Sequence, residues 1–408
     1  MLIEKIIKIT LGIKDHRVVN VTGDKNMITI RLDLIRGRKR ECSGCGKRKR
    51  VRDRLTERTW RHVPLWNIPV NICYRPARVK CDGCGIKVET IPWSNGKSCL
   101  SYPLSLAMAK WARVLSMNTV ADIFGVCWNS VYSAVKQVVH YGIACRDKAE
   151  TMILGIDEIS RKKGHIYHTQ VYDLIHRKLL ASFEGRDAER VRAFFVEWGA
   201  DNLKNIKGIC CDMWAPYSQV VKEMLPHAVM VFDKFHIIQH LLKAVDNVRK
   251  QEAAHFKETN PELLKKTRYI WLKNPWNLTD KQKQRLSYLE TLNLKINRAY
   301  ILKENFRDIW TYTNRADAKK FLDHWFWLAT HSRIQPMRKF AWLIRNHEDG
   351  VLAYFDLPID NGAVEAMNNN AKAVSHRARG YRSSKTFSTL LLHCLGDLKI
   401  PYFVHKFS

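Results

Sequence analysis

Residues 206–233 read IKGICCDMWAPYSQVVKEMLPHAVMVFD. Two short apolar runs, IKGICC and AVMVF, each stop at an aspartate, Asp212 and Asp233, and the helical stretch WAPYSQVVKEML lies between them. A strand, a helix and a strand in that order make a crossover unit whose two strands run parallel in one sheet. Upstream, TMILGID (151–157) is another apolar run that ends in an acid, Asp157. GHIYHTQVYD and KLLASF add two further strands joined near LIHRK, and DAERVRAFFVEW is helical. The expected fold of this region is a mixed sheet with helices on its faces.

Neighbouring parallel strands present their C-terminal ends along one edge, so Asp157 and Asp212 can meet there although they are far apart in sequence. Paired carboxylates repel unless a cation lies between them, and a divalent metal is the usual solution. Asp173 follows a strand of opposite direction and is expected at the other edge. Asp233 sits at an equivalent strand end, and the residues alone leave it either a ligand or a rim residue. One strand-end aspartate is an ordinary turn former, so the reading rests on the set.

The stretch from about 240 to 345 is rich in Lys, Leu and Trp, and it reads as an all-helical insertion whose aromatics (Trp271, Trp276, Trp310, Trp325, Trp327, Trp342) belong mainly in its core. NGAVEAMNNNAKAVSHRARGYRSSK (361–385) follows. Taken as a helix starting near an Asp360-Asn361 cap, it places Val364, Met367, Ala371 and Val374 on one apolar stripe. Glu365 lies beside that stripe, with Asn369, Lys372 and His376 as its helical neighbours. On this helix alone, a solvated salt-bridge edge accounts for Glu365.

The N-terminal part carries two matched knuckles, CSGCG with Cys42 and Cys45, and CDGCG with Cys81 and Cys84. Each tight turn presents two thiolates, and together they suit one structural, tetrahedral Zn²⁺ in a zinc-ribbon-like module. Cys73 and Cys99 lack paired spacing and read as core or surface thiols. The basic run GKRKRVRDR beside the first knuckle is placed to touch phosphate. From residue 104 the chain turns helical. Thr119 to Phe124, a turn at Gly125, and Trp128 to Val139 have the spacing of a helix-turn-helix, with Val131, Val135, Val138 and Val139 inward. Asn129, Ser130 and Ser133 are the base-reading candidates, and Lys136 faces phosphate.

The 408 residues carry 69 Lys plus Arg against 39 Asp plus Glu, a formal net charge of +30. A polyanion is the expected partner, and interleaved aromatics favour nucleic acid over a membrane surface. Charge fixes a partner class and no reaction. The N-terminal residues lack the continuous apolar core of a signal peptide, and no apolar run approaches the roughly 20 residues of a membrane span. Eleven cysteines, an odd count, argue for reduced thiols in the cytoplasm. The expected division is a zinc-binding domain (1–100), a helix-turn-helix domain (101–148), a catalytic domain in two parts (149–240 and 346–408) and the helical insertion (241–345).

Two acidic strand ends, a helical insertion and a later helix with a single Glu resemble the DDE transposases of bacterial insertion sequences, most closely the ISL-three family. GIDEISRKKGHIY, CDMWAPYSQVVKEMLPHAVMVFDKFH and NGAVEAMNNNAKAVSHRARGYRS carry the resemblance, together with the cysteine knuckles and the helix-turn-helix ahead of them. It covers nearly the whole chain. The resemblance implies a ribonuclease-H-like catalytic domain with Asp157, Asp212 and Glu365 as a metal-binding triad, and it puts Asp233 and His236 of DKFH near the site but outside the triad. Ala366 stands where many relatives carry Gly. Lys372, His376, Arg379 and Arg382 would hold the DNA backbone against two Mg²⁺ (or Mn²⁺) ions. The implied protein works in the cytoplasm at the nucleoid as a homodimer on double-stranded DNA. It binds the terminal inverted repeats of its element, cuts there and joins the ends to target DNA. The rival readings are a non-catalytic DNA-binding regulator derived from such an element, and a structure-selective nuclease of the same fold.

Overall fold

The computed structural model describes residues 2–11, 13, 15–94, 97–162, 166–359, 362–378, 381 and 383–401. The chain forms two units. A terminal unit is built from Met1–Arg146 with Ala373–Ser408, and a central unit from Asp147–Lys372.

The terminal unit opens with helix α1 (Leu2–Leu11), β1 (His16–Gly23) and β2 (Ile28–Leu34). The short β3 (Arg40–Glu41), β4 (Arg48–Lys49) and β5 (Val51–Arg54) lead to β6 (Arg58–Leu65), β7 (Ile68–Tyr74), β8 (Ala77–Cys81) and β9 (Gly85–Val88). They pair as a four-stranded sheet β1-β2-β7-β6, a three-stranded sheet β5-β8-β9 and the pair β3-β4. The larger sheet buries Trp60, Ile72, Tyr74 and Trp93 completely. His16 sits edge-on among these rings, 4.9 Å from Tyr74 and 5.1 Å from Trp93 between centroids.

Helices α2 (Tyr102–Ala112), α3 (Met117–Phe124) and α4 (Trp128–Ala144) follow. Ser101 and Ser116 cap α2 and α3, each accepting a backbone N–H three residues on. Gly125 ends α3 with φ 57°, a left-handed geometry that favours glycine. Val131, Val135, Val138 and Val139 of α4 are buried, as their spacing predicts.

The central unit holds a five-stranded sheet in the order β12-β11-β10-β13-β14. Its strands are β10 (Ile153–Lys162), β11 (Ile166–Asp173), β12 (Lys178–Glu184), β13 (Gly208–Cys211) and β14 (Val229–Phe232). β10, β11 and β12 run antiparallel, whereas β10, β13 and β14 run parallel. The parallel part is the crossover read from residues 206–233. Helices α5 (Ala188–Trp198), α6 (Ala200–Leu203) and α7 (Ala215–Met224) connect it. Every described element after β14 is helical: α8 (Lys234–His255), α9 (Arg268–Leu272), α10 (Asp280–Glu290), α11 (Lys295–Arg307), α12 (Arg315–His331), α13 (Gln335–Asn346), α14 (Glu348–Leu352) and α15 (Gly362–Arg377). The insertion tryptophans divide. Trp271 and Trp325 are buried, but Trp276, Trp327 and Trp342 are exposed.

The five-segment division expected from sequence differs from these two units in one consequential respect. The boundary between them falls inside α15, and helix α16 (Ser384–Leu395) packs on α2 and α4 of the terminal unit. His393 Nε2 donates to the Ala109 carbonyl at 2.7 Å, and Arg113 donates to the Leu398 carbonyl at 2.7 Å. Gly142 leaves the space that Leu398 fills, since a Cβ there would lie 2.6 Å from the leucine Cβ.

Three buried histidines of the terminal unit make its stability depend on pH. Burial lowers the pKa of His16 to about 3, with the Arg40 charge helping, and those of His62 and His393 to about 4. The folded unit keeps them neutral while the unfolded chain takes up protons near 6.5. Their contribution is therefore complete above pH 6.5 and is lost as the pH falls toward 4, at about 1–2 kcal/mol per histidine by pH 5. Urea unfolding followed by tryptophan fluorescence should show a lower midpoint at about pH 5 than at about pH 7. The drop should be smaller in His62→Gln.

Candidate active site and metal centre

The sheet register brings three aspartates level. β10 pairs with β13 as Ile153↔Gly208, Leu154↔Ile209 and Gly155↔Cys210, and β13 pairs with β14 from Gly208↔Val229 to Cys211↔Phe232. Continuing these constant offsets sets Asp157 beside Asp212 and Asp212 beside Asp233. Asp157 does not end its strand, as TMILGID implies. β10 continues to Lys162 because β11 pairs with it along its length, Asp157 facing Gln170. Asp173 lies at the opposite end of β10, facing Leu154, where it takes the backbone N–H groups of Ile175 and His176.

Asp157 is held from two sides. Asn368 Nδ2 donates to its Oδ2 at 2.6 Å, and the Tyr172 hydroxyl donates to Asn368 Oδ1 at 2.7 Å. On the other side His236 Nε2 stands 3.4 Å from Asp157 Oδ1 and 3.5 Å from Asp233 Oδ2. Burial pushes the His236 pKa down, but the hydrogen bond to Asp157 and the charges of Asp212, Asp233 and Asp157 prevail and raise it to about 9. The imidazole is thus a cation within the acid row. Asp233 is buried and caps α8, accepting from Phe235 N at 2.8 Å.

Asp212 faces a different cation. Arg186 Nη2 donates to its Oδ2 at 2.6 Å, while Arg186 Nε lies 3.2 Å from Glu158 and the guanidinium stacks over Trp214 at 4.5 Å. Burial raises the Glu158 pKa against the pull of Tyr217 and Arg186.

Gly155 sets how closely α15 approaches. A Cβ there would come within 2.7 Å of Leu174 Cδ2 and 2.9 Å of Val364 Cγ2, so glycine lets the first turn of α15 rest on β10. Val364, Met367, Ala371 and Val374 are buried as their stripe predicts, and Glu365 is exposed at its edge. Lys372 and His376 are exposed on the same helix. Arg379, Arg382 and the Asp360-Asn361 cap lie outside the described residues. On α4, Asn129, Ser133 and Lys136 are exposed, and Ser130 is half-buried with its hydroxyl 3.3 Å from Cys127 Sγ.

Among the described residues, only Cys42, Cys45, Cys81 and Cys84 form a group of three or more ligand-type side chains whose ligand atoms all lie within 4.8 Å of one another. Asp157, Asp212 and Glu365 form no such group. Cys45 Sγ and Cys81 Sγ lie 3.5 Å apart, against about 3.8 Å between thiolates around one tetrahedral zinc. Gly44 keeps the centre open, since a Cβ would sit 3.1 Å from Cys84 Sγ. The Gly83 backbone N–H, opposed by burial, leads in drawing the Cys81 pKa down to about 7, whereas the hydrogen bond with Cys45 leads in raising Cys84 to about 12. Four thiols converging within 4.8 Å of one another form a donor set that fits a metal cation.

An acid row on a mixed sheet within a chain of net charge +30 points to a protein that works on nucleic acid. Residues 154–391 match the model of the ISL3 transposases, and the chain belongs to that family of DDE transposases. It is 29% identical over 350 residues to the transposase for insertion sequence element IS1001 of Bordetella parapertussis, covering 85% of this chain and 86% of that one. It is 27% identical over 378 residues to the transposase for insertion sequence element IS1557 of Mycobacterium tuberculosis, covering 86% of this chain and 85% of that one. The protein is a DNA transposase. Among the described residues no helix is long and apolar enough to cross a membrane.

Asn368, Tyr172, Glu158 and Arg186 are site residues that sequence reasoning did not single out. A signal for Asn368 was available: three consecutive asparagines, Asn368 to Asn370, are poor helix formers, and their presence inside α15 calls for a compensating contact. Asn368→Ala would leave the buried Tyr172 hydroxyl and one oxygen of Asp157 without this partner, at a cost of about 1–3 kcal/mol. Urea unfolding of the full chain measures that cost, and an unchanged midpoint would show that the bridge contributes nothing.

Proposed function

We propose that Asp157, Asp212 and Glu365 are the catalytic carboxylates of this transposase, on a ribonuclease-H-like sheet, and that they cut the ends of its element and join them to target DNA. What supports this reading is the register, whose continuation sets Asp157 and Asp212 level on adjacent parallel strands, together with the packing of Val364, the residue before Glu365, against Gly155 of β10. A row of hard oxygen donors suits Mg²⁺ or Mn²⁺, which when bound polarises the scissile phosphate and activates the attacking oxygen. Asn368 fixes the orientation of Asp157 by occupying one of its oxygens. His236 and Arg186 balance the negative charge of the row while no substrate is bound. Lys372 and His376, on the exposed side of α15, are placed to hold a DNA phosphate near Glu365.

In the same reading α3 and α4 form a helix-turn-helix. Asn129, Ser130 and Ser133 read base edges of the terminal inverted repeats, and Lys136 contacts phosphate. The four cysteines hold one structural Zn²⁺ that fixes the β5-β8-β9 sheet, and two copies of the protein pair the two ends of the element.

Cleavage of a labelled element-end duplex with Mg²⁺ or Mn²⁺ tests the chemistry. Asp157→Asn, Asp212→Asn and Glu365→Ala should each lose on the order of 10³-fold or more, without additivity, because the ligands act as a unit. Asp233→Asn keeps the α8 cap and should retain partial activity. Full cleavage by Glu365→Ala would return Glu365 to the solvated edge of a helix.

The zinc is tested separately. Metal analysis should find one Zn²⁺ per chain. Because a structural zinc contributes on the order of 10 kcal/mol to local folding, Cys45→Ser should unfold the cysteine module and weaken repeat binding. Protein purified without chelators and containing no zinc would remove this assignment.

A further inference from the structure

Helix α8 begins at the acid row and carries a polar stripe away from it. At 100° per residue, His236, His240, Lys243, Asn247 and Lys250 fall within about 80° of arc. The opposite side of the helix packs inward through Ile237, Leu241, Val245 and Val248, none more than 2% exposed. At about 1.5 Å rise per residue, the stripe runs about 21 Å from His236 to Lys250.

α13 lies alongside and closes a trough. A hollow of about 410 Å³ is lined by His240, Lys243, Asn247 and Lys250 of α8 and by Gln335 and Lys339 of α13. A second, of about 440 Å³, continues along α13 past Lys339, Arg338 and the exposed Trp342. Among the described residues no Asp or Glu lines either hollow. Lys250 shares the buried Asp246 with Arg249 and Arg268. Lys243, Arg338 and Lys339 are exposed and have no ion-pair partner among the described residues. Cations gathered along a trough without counter-charges repel one another, and a polyanion relieves that repulsion while releasing its own counterions.

We infer that the trough between α8 and α13 is a docking surface for the phosphate backbone of duplex DNA running from the cleavage point. It rests on the proposal that the acid row cuts DNA, because His236 joins the row to the stripe. With phosphates about 3.4 Å apart along a strand axis, about 21 Å of stripe corresponds to roughly six base pairs. The helical insertion thus binds substrate as well as supporting the fold.

The test uses the full chain and a random-sequence duplex of about 30 base pairs, with affinity measured over a series of salt concentrations. The double variant Lys243→Ala/Lys339→Ala removes two exposed cations whose side chains support no ion pair among the described residues. The log-log salt slope should become shallower by about 1.8, two contacts at about 0.9 each, and affinity should fall at least ten-fold at low salt. Lys222→Ala/Lys281→Ala, exposed positions on α7 and α10, removes the same charge elsewhere and should leave the slope within about 0.5 of wild type. An unchanged slope in the trough variant, or an equal change in the control, would overturn the inference. So would polyglutamate competing as well as duplex DNA for the wild type but not for the trough variant. In an Asp157→Asn background, hydroxyl-radical footprinting of the element-end duplex should show protection lost only within about six base pairs on one side of the cut. Loss confined to distant base pairs would refute the location. The salt slope requires no cleavage, so a failure of the carboxylates as catalysts would appear in the cleavage assay alone.

Discussion

The hydrogen-bonded bridge from Tyr172 through Asn368 to Asp157 joins β11, α15 and β10, segments up to 211 residues apart in sequence. Burial keeps the Tyr172 phenol protonated, and the charge of Asp157 acts in the same direction, so the hydroxyl remains a donor. The amide therefore has a fixed orientation: its oxygen receives the phenol and its nitrogen gives to the carboxylate. Two constraints position the helix that carries Glu365. Gly155 permits the close approach of its first turn, and Asn368 then fixes its rotation about its own axis. Alanine at position 155 would push the first turn away from β10, and loss of the amide would leave the buried apolar stripe as the remaining constraint on the helix's rotation.

The local electrostatics run against the rest of the molecule. A chain of net charge +30 gathers Asp157, Asp212, Asp233 and Glu158 within a few residues of three strand ends. Each is matched by a specific cation or a donor: His236 between Asp157 and Asp233, Arg186 between Asp212 and Glu158. His236 is on the first turn of α8, and Arg186 follows the end of β12 over the face of Trp214. Removing unpaired carboxylates from water would cost several kcal/mol, and these two cations offset that cost.

The strands and the crossover were legible in the sequence because apolar runs ending in acids leave few alternatives for a buried parallel edge. The valines of α4 and the stripe of α15 were legible for the same reason, a period of 3.6 residues read against burial. The end of β10 was misplaced because an aspartate usually terminates a strand, whereas here pairing with β11 carries the strand past it. Asn368 and Arg186 were not legible, because their importance comes from partners brought in by tertiary packing. The exposure of Trp276, Trp327 and Trp342 also lay beyond sequence reasoning, since aromatic composition alone does not say which face of a helix will be covered. Nor was it legible that α16 packs on α2 and α4, because that contact comes from residues far apart in sequence.

The placement of α16 bears on synthesis. Because the terminal unit is completed by residues beyond the central one, the chain leaves and re-enters it, and the central unit is an insertion within it. As the polypeptide emerges from the ribosome, α2 and α4 remain uncovered until α16 has been made. The central unit can fold first, from residues already outside the exit tunnel. A prematurely terminated product carries the cysteine module and the α3–α4 pair, but it lacks the helix that seats His393 against Ala109. Such a product leaves apolar side chains of α2 and α4 without the helix that covers them.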